Sequence, residues 1–207
     1  MKCILLHGVG LCPADWEKTI VGIGSELEVV CPPVYDWLPD GEANFSLLYQ
    51  GLEDYCRQLH EPFVLGGLSL GAVLALQYAI EHGEKLHSLI LIGAQFSMPK
   101  KLLKFQNIVF RLMPKAAFAK TGLGKSEVIS LCSSMMDLDF GEDFTVIPCP
   151  TLVICGERDK SNLPAAFELK ERINNAQLLI MPKAGHELNT ECPQQLGKAI
   201  SAFCGEK

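Results

Sequence analysis

Phe63-Val64-Leu65-Gly66-Gly67-Leu68-Ser69-Leu70-Gly71 is the stretch that decides the fold of this chain. Phe63-Val64-Leu65 is an apolar run of strand length, and Leu70 to Tyr78 continues at helical period beyond a glycine-rich bend. G-x-S-x-G between a strand and a helix puts Ser69 in a strained turn that pushes its hydroxyl into the open. At Gly67 and Gly71 a side chain would collide with neighbouring backbone where strand and helix pack closely. Ser69 also stands at a helix N-terminus, whose unpaired N–H groups favour developing negative charge, so the Leu70 amide is the natural oxyanion donor. Taken alone, the pentapeptide fits equally a turn with a helix-capping serine. The surroundings have to decide.

Working outward, strand-like runs alternate with segments of helical period. The strands expected are Lys2–Leu6, Glu28–Cys31, Phe63–Leu65, Leu86–Ile92, Thr151–Cys155 and Gln177–Met181. Helices are expected over Pro13–Gly24, Glu42–Leu59, Leu70–His82, Pro164–Asn174 and Cys192–Cys204. This alternation predicts an α/β fold with a mostly parallel sheet of about six strands, flanked by helices. Ala94 to Ile147 breaks the rhythm: no strand is expected, only helices over Pro99–Met113 and about Lys125–Leu138, parted by Pro114, Gly122 and Gly124. An insertion of that kind, residues 95–147, reads as a short helical lid over the carboxyl edge of the sheet in a single domain spanning 1–207.

A serine hydroxyl needs a base, and the base needs a group that fixes its tautomer. Asp159 lies just past the run Thr151 to Cys155, and His186 lies on the loop beyond Gln177 to Met181, so both should reach the same sheet edge as Ser69. Glu157 and Asp143 compete as acids, with Glu157 expected to point elsewhere. His60, His82 and His87 sit near helix ends or strand starts, where facing solvent or a helix C-terminus is the ordinary role. The turn His7-Gly8-Val9-Gly10 after the first strand is the expected source of a second oxyanion N–H, that of Val9, with His7 assigned to the loop's own hydrogen bonding. No metal or nucleotide motif accompanies these residues.

Across His7-Gly8-Val9, Gly67 to Gly71, Gly156-Glu157-Arg158-Asp159 and Ala184-Gly185-His186, the chain resembles the α/β-hydrolase superfamily over essentially its whole length. Within it, the chain is similar to small bacterial esterases of the carrier-protein methyl ester esterase and enol-lactonase type. Its first strand corresponds to the third of the full family fold, and its lid is shorter than usual. The resemblance implies a catalytic triad of Ser69, His186 and Asp159, an acyl-enzyme, no cofactor and no metal. It also implies a carboxylic ester of a small to medium acyl group as substrate, with an acyl thioester or a lactone as the alternative. A non-catalytic ligand-binding protein of the same fold is the reading from a different class.

On the first lid helix Leu102, Phe105, Val109, Leu112 and Met113 recur at helical spacing, with Lys100, Lys104, Arg111 and Lys115 opposite them. No Asp or Glu occurs from Lys85 through Ser126. The preferred reading is a solvated face on an amphipathic helix, and the alternative is a handle for an anionic carrier or CoA above an apolar acyl cover. The net charge of −6 argues against nucleic-acid binding. No apolar stretch reaches the roughly 20 residues of a membrane span, and His7-Gly8 interrupts the first apolar run before it could serve as a secretory core, so a cytoplasmic location is expected. The nine cysteines, odd in number and without metal-ligand spacing, read as reduced thiols.

Overall fold

A computed structural model describes residues 1–98, 100–114, 118, 122–141 and 144–205, with the backbone alone over 101–106. Along the chain run β1 (Lys2–Leu6), α1 (Glu17–Ile23), β2 (Glu28–Val30), α2 (Phe45–Arg57), β3 (Phe63–Leu68), α3 (Leu70–His82) and β4 (Leu86–Ile92). They continue as α4 (Lys100–Leu112), α5 (Lys125–Ser134), β5 (Thr151–Gly156), α6 (Leu163–Arg172), β6 (Ala176–Met181), α7 (Leu188–Glu191) and α8 (Pro193–Gly205). The six strands form one sheet in the order β2-β1-β3-β4-β5-β6, and every neighbouring pair is parallel. This is the parallel sheet of about six strands expected from the alternation, and it agrees with the α/β-hydrolase fold that the resemblance implies.

Side chains of the central strands alternate between two cores, as the pleat requires. Ile4, Leu6, Leu65, Leu89, Leu91 and Val153 join the helices α2, α3 and α6 on one face. Leu5, Val64, Ile90, Ile92 and Ile154 join Trp16, Ile23, Leu196 and Ile200 of the α1 and α8 side on the other. Each fully buried leucine or isoleucine contributes about 1.5–3 kcal/mol, which is why these strands read as nearly continuous apolar runs. The face assignment has a consequence for function. The chain leaves β1 toward the α1 face but leaves the neighbouring β3 toward the α3 face, so the carboxyl ends of two adjacent strands open a crevice between diverging loops.

Element boundaries differ from expectation where a specific contact intervenes. The α2 helix begins at Phe45 rather than Glu42 because the Asn44 side chain caps it, accepting from the Leu47 N–H at 3.0 Å. The expected helix from Pro13 opens as a 3₁₀ turn over Pro13–Trp16. Strand β3 runs on through Gly66, Gly67 and Leu68, since pairing with β1 and β4 on both sides outweighs the poor strand propensity of glycine. All nine cysteines are free thiols.

Among the described residues between β4 and β5, an isolated bridge departs from the expectation of no strand. Ser97 and Asp139 form an antiparallel bridge, flanked by Met98 N–H to Leu138 O at 3.1 Å and Phe140 N–H to Phe96 O at 2.9 Å, which ties the two ends of the segment together. Over its described side chains the α4 helix covers only part of the stripe that its apolar spacing suggested. Asn107 is buried and donates to Ser133 Oγ of α5 at 2.9 Å, while Phe110 and Met113 pack on the larger core. Ile108, Val109 and Leu112 face solvent, Leu112 with 82% of its surface exposed. The expectations for Leu102, Lys104 and Phe105 fall on side chains outside the described residues, as do Lys115 and Asp143. Among the described residues, no helix is long and apolar enough to cross a membrane.

Candidate active site

Strand β3 delivers Ser69 to the carboxyl edge in a conformation few side chains adopt. Its φ of 55° and ψ of −114° lie outside the usual regions for an L-residue, at a cost of about 1–3 kcal/mol. Neighbouring contacts over-determine the bend. The Ser69 N–H donates to Ile92 O at 2.9 Å and the Ser69 carbonyl accepts from Val73 N–H at 3.0 Å. A Cβ on Gly67 would run into the Gly71 carbonyl, and one on Gly71 into the Leu6 carbonyl. Ser69 is partly exposed.

Asp159 follows β5 and His186 follows β6, and the structure brings them together. His186 Nδ1 and Asp159 Oδ2 are 2.6 Å apart, the length of a charge-assisted hydrogen bond. The carboxylate is 6% exposed and the imidazole 39%, so the acid is screened and the ring is reachable. Burial alone would raise the Asp159 pKa. The hydrogen bonds from His186 and Asn162, with the charge of His186, outweigh it and hold the carboxyl below its ordinary range. The competing Glu157 points away, accepting from the Lys183 N–H at 2.7 Å, and so braces the turn before His186. Of the other histidines, His82 pairs with Glu53 at 3.0 Å, His87 meets Ser88 Oγ at 2.9 Å and His60 is exposed. Glu53, Glu81 and His82 could together offer three ligand atoms to a cation, but Glu81 already accepts from Tyr49 and Gln77.

Gly93 connects these two halves of the site. It follows Ile92, whose carbonyl holds the Ser69 N–H, and its own N–H donates to Ile154 O at 2.9 Å. A Cβ here would lie 3.0 Å from Nδ1 and Cε1 of His186, and the φ of 56° also favours glycine. The imidazole therefore rests on the backbone immediately beyond the residue that anchors Ser69.

The β1 turn closes the crevice from the other side. Leu11 N–H donates to Gly8 O at 3.2 Å, with Gly10 at φ 85° in the third position, as a type II turn requires. The same Gly8 carbonyl also meets His7 Nδ1 at 3.2 Å and accepts from the Tyr35 hydroxyl at 3.2 Å. Because C=O and N–H of one trans peptide point in opposite directions, holding the Gly8 carbonyl also aims the Val9 N–H. A Cβ on Gly8 would sit 3.3 Å from Ser69 Cβ, so this peptide lies against the serine. The Leu70 N–H begins α3, where no intrahelical acceptor exists.

The alpha/beta hydrolase family profile matches residues 3–199. The chain belongs to that family. The pimeloyl-[acyl-carrier protein] methyl ester esterase of Aeromonas hydrophila subsp. hydrophila is 25% identical over 98% of this chain and 94% of its own length. Solved structures share the fold at lower identity. An alpha/beta hydrolase enzyme from a Medee basin deep-sea metagenome library superposes with a TM-score of 0.81 at 18% identity, covering 100% of this chain and 90% of that one. The enol-lactonase from Burkholderia xenovorans does so with a TM-score of 0.81 at 18% identity, covering 99% and 91%.

In this alpha/beta hydrolase His7 is 1% exposed and works as the loop's own fastener. Its Nε2 accepts from the Val34 N–H at 3.3 Å, which leaves Nδ1 as the protonated nitrogen toward Gly8 O. Burial lowers its pKa from the ordinary histidine value, against the opposing hydrogen bond to Gly8 and charge of Asp15. The unfolded chain takes this proton near pH ~6.5 and the folded chain only at lower pH. Stability is therefore full above that value and lost as the pH falls below it. The urea midpoint is expected to drop more steeply between pH 7 and pH 5 in the wild type than in His7→Gln, and equal slopes would contradict the assignment.

Proposed function

We propose that this alpha/beta hydrolase cleaves carboxylic esters of small to medium acyl groups with Ser69 as nucleophile, His186 as general base and Asp159 as the acid that orients it. The observation that carries the reading is the 2.6 Å contact of Asp159 and His186, made beside the backbone that anchors a strained serine. Ser69 Oγ attacks the acyl carbon while His186 Nε2 takes its proton. The Val9 and Leu70 N–H groups stabilise the resulting oxyanion. Its collapse expels the alcohol, which receives the proton from His186. Water, deprotonated by the same imidazole, then releases the acid and restores Ser69.

The methyl ester esterase relative supports an oxygen ester over other acyl compounds. Acyl thioesters and lactones use the same chemistry and belong beside oxygen esters in a substrate panel. The 95–147 segment is assigned as the lid, within a single domain, and a cytoplasmic location accords with the free thiols. A carrier or CoA handle on that segment has little support. Lys100 is paired with Asp137 at 2.7 Å, and Lys125 is drawn to the Arg111 and Met113 carbonyls at the end of α4. Lys100 and Lys125 thus serve the segment's own hydrogen bonding.

A fluorophosphonate probe tests the reading directly. The expected result is one covalent adduct on the folded protein, mapped to Ser69 by peptide mass. Labelling at another residue would reassign the nucleophile, and absence of labelling would remove Ser69 from that role and favour the non-catalytic binding reading.

A further inference from the structure

Asn162 stands at the N-cap position of α6, where an asparagine side chain ordinarily accepts a hydrogen bond from the helix, yet it makes no such bond. Its side chain is turned instead to Asp159. Nδ2 lies 2.9 Å from Oδ1 and 2.8 Å from Oδ2 of the carboxylate, and 3.1 Å from His186 Nδ1. A chain of contacts starting at a backbone carbonyl, whose polarity is unambiguous, settles which end of the amide faces the acid. Ser161 O accepts from Gln95 Nε2 at 2.9 Å, so Gln95 presents its NH₂ group on this side. The same NH₂ donates to Asn162 Oδ1 at 2.9 Å. Asn162 must then direct its own NH₂ at Asp159. Nδ1 of His186 carries the proton it gives to Asp159 and has no lone pair to offer, so Asn162 donates to the carboxylate, one N–H shared between its two oxygens.

We propose that Asn162, oriented by Gln95, is a positioning residue that holds the Asp159 carboxylate against His186 and moderates how strongly it stabilises the imidazolium. The inference rests on the serine hydrolase reading above. A neutral donor shared by the two carboxylate oxygens draws charge away from His186, so Asp159 stabilises the imidazolium less than a bare carboxylate would. Gln95 belongs to the first residues after β4, which roots the segment between β4 and β5 in the hydrogen bonding of the acid loop. The other ionisable groups on the surrounding elements are Cys155 at the end of β5, Glu157, Arg158 and Lys160 on the acid loop, and Lys183, Glu187 and Glu191 on the base loop. Burial first, with the charge of Asp159, pushes the Cys155 thiol up to about 12, so it does not titrate with the base. The variants below leave all of them in place.

The test is the pH dependence of kcat/KM on a p-nitrophenyl ester, from pH 5 to pH 9, for wild type, Asn162→Leu and Gln95→Leu. Without the Asn162 amide Asp159 holds the imidazolium more strongly, and the acidic limb for Asn162→Leu is expected to move up by about 0.5–1 pH unit. Gln95→Leu releases the amide without removing it and should shift the limb in the same direction by less. A role confined to packing would lower the plateau and leave the limb where it was, which overturns the proposal. If Asn162→Leu does not fold, Gln95→Leu decides: a limb at the wild-type position overturns it as well. Failure here is separate from failure of the hydrolase reading, because the phosphonate adduct on Ser69 reports on that alone.

Discussion

Ser69→Ala is expected to lower kcat on p-nitrophenyl butyrate by about 10⁴- to 10⁶-fold, with KM changed several-fold at most. The hydroxyl supplies the bond-forming atom, while the surfaces that bind the ester do not depend on it. A small residual rate over water is still expected, because the Val9 and Leu70 N–H groups would continue to favour an oxyanion formed by direct attack of water. The fold should survive, since alanine leaves the backbone bonds of residue 69 to Ile92 and Val73 in place. Steady-state kinetics with active-site titration is the measurement. A variant that keeps more than about a tenth of wild-type turnover would mean that another nucleophile does the chemistry.

Gly71→Ala is expected to destabilise the fold by more than about 4 kcal/mol, at the far end of what single substitutions do. Its Cβ would overlap the carbonyl of Leu6 and lie 2.6 Å from that carbonyl carbon. These are backbone atoms at the end of β1, paired on one side with Gly67, so no side chain can swing aside to relieve the overlap. Either α3 lifts from the sheet, losing the packing of Leu70, Val73 and Leu74, or the end of β1 shifts and carries the Gly8–Val9 peptide with it. Urea unfolding followed by tryptophan fluorescence reads the loss, and Gly205→Ala is the control because nothing lies near a Cβ there. Equal midpoints for Gly71→Ala and wild type would show that β1 and α3 are not as close as described.

How much of the site could be read from the chain depends on how far in sequence each contact reaches. Ser69 was legible because its turn is local: strand, glycine, serine, glycine and helix occur within nine residues. Asp159 and His186 were legible as an acid and a histidine on the loops just beyond two strand ends, which the parallel sheet must deliver to one edge, although Glu157 competed with Asp159 until the fold turned it toward Lys183. Asn162, Gln95, Gly93 and Tyr35 carried no comparable signal. Asn162 resembled an ordinary helix cap, and its partnership with Gln95 spans 67 positions. Tyr35 reaches Gly8 across 27 positions, and nothing in its neighbours marks it. Gly93 offered only the faint clue of a glycine directly after a strand.

The α4 helix makes the same point in reverse. Its apolar spacing was clear, but spacing names a stripe and does not name the partner that covers it. The packing of α5, with Ser133 facing Asn107, turned a polar side chain inward and left Ile108 and Leu112 in solvent.

From the chain by itself follow the parallel α/β sheet and the strained turn at Ser69, because strand and helix periods and glycine sterics act over a few residues at a time. Only the folded molecule decided which helix face is covered, how the Gly8 carbonyl is clamped and what holds Asp159 against His186. Those outcomes depend on distances between loops that are remote in the chain, and it is the order of strands in the sheet that brings such loops within hydrogen-bonding reach.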